Sequence, residues 1–214
     1  MIRVVGVLSA LLAVAVGAST AAAQAAEGAA TAVSCPATVA ELTPAQADAV
    51  FSLASRKLAA ASKGQLGRYP FGALNGATEY QRTGPSGWTS GFFPGELWLL
   101  FDRTKQSRWL DLAREWTNGV LPMARFRGSH DLGFMVGIPT SLGFALEPGA
   151  TTRAAYARAE ARAARTLALR WNRKVRAIKS ADYGDRWGVI IDSAMNAPML
   201  IEVGNRLPGS AGER

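Results

Sequence analysis

Residues 84–119, "GPSGWTSGFFPGELWLLFDRTKQSRWLDLAREWTNG", constrain the fold more than any other stretch. Trp109, Leu112, Ala113 and Trp116 recur at helical spacing and predict a helix that opens at Ser107 and ends near Gly119. The apolar run before it predicts another, from about Ser90 to Phe101, with Leu97, Trp98 and Leu100 in the core. Only Asp102 to Gln106 separate the two, a connection short enough to make them antiparallel neighbours. The repeating unit is therefore a helical hairpin.

Other segments extend the pattern. In "TPAQADAVFSLASRKLAAAS" Thr43, Pro44 and Gln46 form a capping-box start, and Val50, Leu53, Ala54 and Leu58 follow at helical spacing. A loop rich in Gly, Tyr and Arg is expected from Lys63 to Gly87, a fourth helix near Asp131, a fifth from Thr152 to about Trp171, and a sixth after Asp192 despite Pro198. "WGVII", residues 187–191, reads as a short strand or a buried extended segment. No strand-rich region appears, so the class is all-α, built from hairpins. A length of 214 residues and an apolar fraction of 49% suit one domain with a sizeable core.

The first residues, "MIRVVGVLSALLAVAVGASTAAAQA", join one charge at Arg3 to an apolar stretch from Val4 to Gly17 and then small residues, the pattern of a secretory signal. The organisation expected is a signal peptide over 1–25, a linker over 26–42 and the folded part over 43–214. The apolar stretch is shorter than the roughly 20 residues of a membrane span, so export with no membrane association after signal removal is expected. Cys35 is the only cysteine, which excludes an internal disulfide. The formal charge of +8 favours anionic partners; no base-recognition motif accompanies it, so acidic polysaccharide is preferred over nucleic acid. Arg158, Arg162 and Arg165 share a helix face that reads as a basic docking surface or, more ordinarily, as a solvated outer face.

Two carboxylates stand in equivalent surroundings. Asp131, directly after the sole histidine His130, precedes "LGFM", and Asp192 precedes "SAMNAPML". Each opens a helix after an irregular segment, and either one serves as an N-cap or as a site residue. Helix N-termini favour negative charge, whereas two neighbouring carboxylates compete to ionise, and that tension makes a general acid and an anionic companion. Trp88, flanked by Gly87 and Thr89, suits a pocket wall, and Trp98 suits the core. One histidine with scattered carboxylates lacks metal-ligand spacing, so neither a metal nor a cofactor is expected.

"WTSGFFPGELWLL", "HDLGFM", "KVRAIKSADYGDRW" and "VIIDSAMNAPML", in that order, closely resemble the unsaturated glucuronyl hydrolases of glycoside hydrolase family 88. The resemblance implies an (α/α)6 barrel that removes an unsaturated uronic acid from the non-reducing end of lyase-generated oligosaccharides. It implies Asp192 as proton donor and water activator, Asp131 as the carboxylate that holds the sugar's hydroxyls, and His130, Trp88, Trp187 and Asn196 as substrate-binding residues. The tryptophan of the family's loop is replaced by Ala181, so that wall of the sugar site is either missing or supplied by Trp187. The helices counted above are about half of those that six hairpins require, so the resemblance is expected to cover the N-terminal half of such an enzyme. The alternatives are an unsaturated rhamnogalacturonyl hydrolase, which shares the barrel, and a non-catalytic glycan-binding remnant; "HDLGFM" leans toward the glucuronyl branch.

Overall fold

Helix α1 (Pro44–Ala61) begins as its local sequence dictates: the Gln46 amide donates to Thr43 Oγ1 at 3.3 Å and the Thr43 amide to Gln46 Oε1 at 2.9 Å. The computed structural model describes residues 42–73, 79–183 and 186–207. The expected signal peptide, most of the linker with Cys35, and the tail beyond Leu207 lie outside the described residues.

After α1 come a short antiparallel pair, β1 (Tyr69–Gly72) and β2 (Gln81–Thr83), and then the hairpin of α2 (Phe92–Thr104) and α3 (Ser107–Val120). Lys105 makes the turn at φ 55°. Trp98, fully buried, donates from Nε1 to Thr117 Oγ1 at 2.9 Å and so locks the two helices side by side. Tyr69, expected in a loop, is also fully buried, and its hydroxyl donates to Trp116 O at 3.0 Å. Gly119 leaves room for it, since a Cβ there would lie 2.3 Å from the Tyr69 hydroxyl. Trp98, Trp109, Trp116, Leu97 and Leu100 dominate this core.

A 3₁₀ turn (Leu121–Arg125) leads to the "HDLGFM" segment, where a π-helical turn (Gly133–Gly137) precedes α4 (Ile138–Leu146). Helix α5 (Ala150–Ala168) follows, then the two-stranded pairs β3 (Trp171–Asn172) with β4 (Ala177–Ile178) and β5 (Ala181–Tyr183) with β6 (Arg186–Gly188), and finally α6 (Ser193–Arg206), which runs through Pro198. A second core of Leu132, Met135, Val136, Ala164, Leu167 and Met199 joins the π turn to α5 and α6. Glu147, its side chain wholly buried, receives a two-pronged grip from Arg114 at 2.7 and 2.8 Å and the Gly149 amide at 2.6 Å, which ties α3 to the turn between α4 and α5.

Several expectations are corrected. Helix α2 starts at Phe92 rather than Ser90, because the Thr89–Gly91 stretch is spent on turns. The three strand pairs add short hairpins to an all-α fold. In "WGVII" only Trp187 and Gly188 are in a strand; Val189 and Ile190 are exposed and Ile191 is 88% exposed, so this run is not buried. Val50 and Leu53 share the spacing of Leu58 but face outward, and only the Leu58 end of the stripe is buried. Arg158, Arg162 and Arg165 lie on the exposed face of α5.

Candidate active site

The site forms where the start of the π turn meets the start of α6. Gly133 permits the approach: a Cβ there would come within 2.7 Å of Asn196 Oδ1 and 2.8 Å of Asn196 Cα. Asn196, on the first turn of α6, is buried; its Oδ1 accepts from the Phe134 amide at 3.1 Å and its Nδ2 donates to Asp192 O at 3.1 Å. Asn196 therefore clamps the two aspartate-bearing segments together and presents no free face to a sugar. Gly91 performs the same service for α2, since a Cβ there would lie 2.0 Å from Phe134 O.

These contacts bring Asp131 and Asp192 to one histidine. His130, 6% exposed, places Nε2 3.3 Å from Asp131 Oδ1 and 3.3 Å from Asp192 Oδ2. Asp192 occupies the N-cap position of α6 but its side chain makes no cap bond, and Asp131 Oδ2 accepts from the Ser129 hydroxyl. The Asp131 amide in turn donates to Ser129 Oγ at 3.1 Å, so one hydroxyl bridges the backbone and the carboxylate of Asp131. Of the four carboxylate oxygens, Asp131 Oδ2 accepts a hydrogen bond, Asp131 Oδ1 and Asp192 Oδ2 stand 3.3 Å from the imidazole, and Asp192 Oδ1 is buried with no partner among the described residues.

His130, Asp131 and Asp192 also offer ligand atoms within 4.8 Å of one another, a cluster that spacing in the sequence concealed. A metal would need a bare nitrogen lone pair toward the carboxylates. An imidazole nitrogen 3.3 Å from one oxygen of each carboxylate suits either a shared cation or an N–H turned toward both, and the protonation of Nδ1 decides between them.

Trp88 stands half exposed against Phe134, whose amide is held by Asn196. Its ring meets Phe134 at 6.0 Å between centroids and Phe92 at 6.2 Å, and it borders a cavity of about 380 Å³ with Phe71, Tyr80, Phe92 and Glu96. Trp187 is half-buried on β6, across from Asp182 in the ladder, and Ala181 pairs with Gly188. The sequence reading named both aspartates and His130, which the structure brings together, and did not name Ser129, Ser180 or Ser193 as site residues. The last two continue from the other side of the histidine: Ser193 Oγ lies 3.2 Å from Nδ1 and 2.6 Å from Ser180 Oγ. Their only signal was adjacency, one following Asp192 directly and the other inside the "AIKS" loop.

An all-α hairpin fold with two carboxylates gathered at helix entrances defines the class, that of the α/α-barrel proteins. Within it, the relatives are unsaturated glucuronyl hydrolases. A curated one from Formosa agariphila is 36% identical over 148 residues, 64% of this chain and 36% of that protein. The crystal structure of a heparin-specific unsaturated glucuronyl hydrolase superposes with a TM-score of 0.66 at 28% identity, over 73% of this chain and 41% of that one. That of the Streptococcus agalactiae enzyme gives 0.70 at 20% identity, over 80% and 44%, a likeness of fold. No protein-family profile matches the chain. The chain thus spans less than half the length of the relatives it matches.

Proposed function

We propose that this chain carries the acid–base centre of a glycoside hydrolase that removes an unsaturated uronic acid from the non-reducing end of lyase-generated oligosaccharides. The observation that carries the reading is the meeting of Asp131 and Asp192, from motifs far apart in sequence, at 3.3 Å from one imidazole nitrogen.

The chemistry follows from the substrate's C4–C5 double bond, which with the ring oxygen forms a vinyl ether. A proton delivered to C4 leaves positive charge shared between C5 and the ring oxygen, and water adds at C5. The C5 hemiketal opens to a ketone, the ring oxygen leaves as the hydroxyl on C1, and the C1 hemiacetal expels the aglycone as an alcohol. Asp192 is the proton donor. Its side chain is 33% exposed while Oδ1 is buried, which leaves Oδ2 as the oxygen from which a proton can reach the substrate. The resulting carboxylate takes a proton from the attacking water and is restored. Asp131, held by Ser129 and facing His130, stays the anionic partner that receives the sugar's hydroxyls. Because water attacks an alkene carbon, carboxylate separation does not decide retention or inversion here.

The relatives' printed names support the substrate class, and the excess of basic residues suits an acidic glycan. Export through the N-terminal segment belongs to the same reading, since lyase products of large polysaccharides arise outside the cytoplasm. Among the described residues no helix is long and apolar enough to cross a membrane.

The test is the loss of the double bond's ultraviolet absorbance on an unsaturated disaccharide, measured for the chain alone and for a chimera that joins it to the complementary part of a relative. Asp192→Asn is expected to lower turnover about 10² to 10⁴-fold, the usual cost of removing a general acid, with the helical circular dichroism unchanged. Substantial turnover by Asp192→Asn would assign the acid elsewhere.

A further inference from the structure

We propose that Ser180 and Ser193 form a one-way hydrogen-bond relay that fixes the His130 proton on Nε2, the nitrogen turned toward both aspartates, making the two serines positioning residues of the site. Their catalytic relevance rests on the function proposed above; the relay itself does not.

The direction of the relay follows from what each group has to donate. The Ile190 amide donates to Ser180 Oγ at 3.0 Å, and Ser180 is 3% exposed. The Ser180 hydroxyl proton therefore needs an acceptor inside the protein, and Ser193 Oγ stands 2.6 Å away. Ser193 Oγ, having accepted, passes its own proton to His130 Nδ1 at 3.2 Å. Nδ1 is then an acceptor, and the neutral ring carries its proton on Nε2, the nitrogen that faces Asp131 and Asp192.

The reverse direction fails twice. With a proton on Nδ1, Ser193 would accept from the ring and donate to Ser180, whose own proton would have no acceptor among the described residues. The Nε2 lone pair would at the same time point at two carboxylates 3.3 Å away. Each defect leaves a polar group of the site without its partner.

Both serines are anchored so that the relay holds its shape. The Ser180 amide donates to Gly188 O at 2.9 Å, which ties it to the β5–β6 hairpin, and the Ser193 amide donates to Ile190 O at 3.1 Å at the start of α6. The hairpin, the helix start and the "HDLGFM" segment are thus joined through one imidazole. A histidine locked as a donor cannot take up the proton meant for the sugar, which keeps that proton on Asp192.

The chain has a single histidine, so the relay is readable without assignment ambiguity. The experiment is long-range ¹H–¹⁵N correlation of the labelled full chain, untagged, at about pH 8, above the ordinary imidazole range near 6.5. The wild type is expected to show Nε2 protonated and Nδ1 as a hydrogen-bonded acceptor. Ser193→Ala should shift the Nδ1 resonance toward that of an unbonded nitrogen, and Ser193→Thr, which keeps the hydroxyl, should restore it. Because Ser193 opens a helix, Ser180→Ala is the second variant, with an expected Nδ1 shift in the same direction and smaller. In the disaccharide assay Ser193→Ala should lower kcat about tenfold, roughly one hydrogen bond's worth, with KM little changed and the threonine variant active. A wild type protonated on Nδ1, a resonance moved by zinc addition in place of serine substitution, or ring signals indifferent to both alanine variants would overturn the relay. The expected ring signals in the chain, together with a folded chimera that consumes no unsaturated disaccharide, would leave the relay standing and remove the hydrolase reading.

Discussion

Trp88 leaves half of its surface open while its ring is braced by Phe92 and Phe134, and Phe134 is itself pinned by Asn196. An aromatic face that is exposed but cannot swing is suited to stacking on the apolar face of a sugar ring, and it does so equally in the bound substrate and the transition state. Trp88→Ala is therefore expected to raise KM about three- to tenfold, the range of one aromatic contact, with kcat nearly unchanged. Steady-state kinetics of the chimera checks it, with Trp88→Phe as the intermediate case; a fall in kcat at constant KM would show that Trp88 acts by holding Phe134 and the site behind it. The neighbouring histidine explains why so polar a pair as His130 and Asp131 leads into an apolar run. Leu132, Met135 and Val136 are fully buried and fix the turn, while the pair faces Asp192.

Between elements, the grip of Arg114 on Glu147 is the clearest polar tie, since it joins α3 to the turn between α4 and α5. The Arg114 guanidinium, by its paired hydrogen bonds, holds the Glu147 carboxyl below its usual range against the opposing effect of burial, and the Gly149 amide adds to it. A carboxyl whose folded value is lowered contributes stability that is present above its unfolded value, near 4.3, and is lost as pH falls through the lower folded value. Glu147→Gln should cost about 2 kcal/mol near neutral pH, because Arg114 keeps partial access to water, and the difference from wild type should shrink in that acidic window. Denaturant unfolding at several pH values measures it; a penalty independent of pH would mean that the tie works by shape alone. Glu147 carried no sequence signal, whereas the Thr43 capping box and the α2–α3 hairpin did, because caps and short turns are decided within a few residues. The partners of Tyr69, Asn196 and Ser193 come from distant segments, so nothing local announces them. Periodicity likewise identified an apolar stripe on α1 without saying which part of it is covered, and the apolar run after Trp187 turned out to face water.

At the scale of the molecule, the exposed large apolar side chains among the described residues include two groups. Val50, Leu53 and Leu99 border one apolar groove beside α1 and α2, and Ile191, Met195 and Ile201 are each more than 60% exposed along the start and face of α6. Soluble monomers seldom show contiguous apolar patches beyond a few hundred Å². At about 25 cal/mol per Å², roughly 400 Å² left in water forgoes about 10 kcal/mol, comparable with the whole stability of a typical domain. The folded part on its own, residues 43 to 214, is therefore expected to be helical yet to unfold over a broad range. It should bind an apolar dye and associate as its concentration rises. Adding the complementary part of a relative in excess should displace the dye and sharpen the transition if those faces are the ones it covers. Circular dichroism melts, dye fluorescence and size-exclusion chromatography on the same samples decide the matter. Ile191→Lys with Ile201→Lys, placed on exposed positions, should reduce dye binding and association without lowering helix content. A monomer that melts sharply and binds no dye would show that these side chains pack well enough where they are, and that the chain is stable without any further surface to cover them.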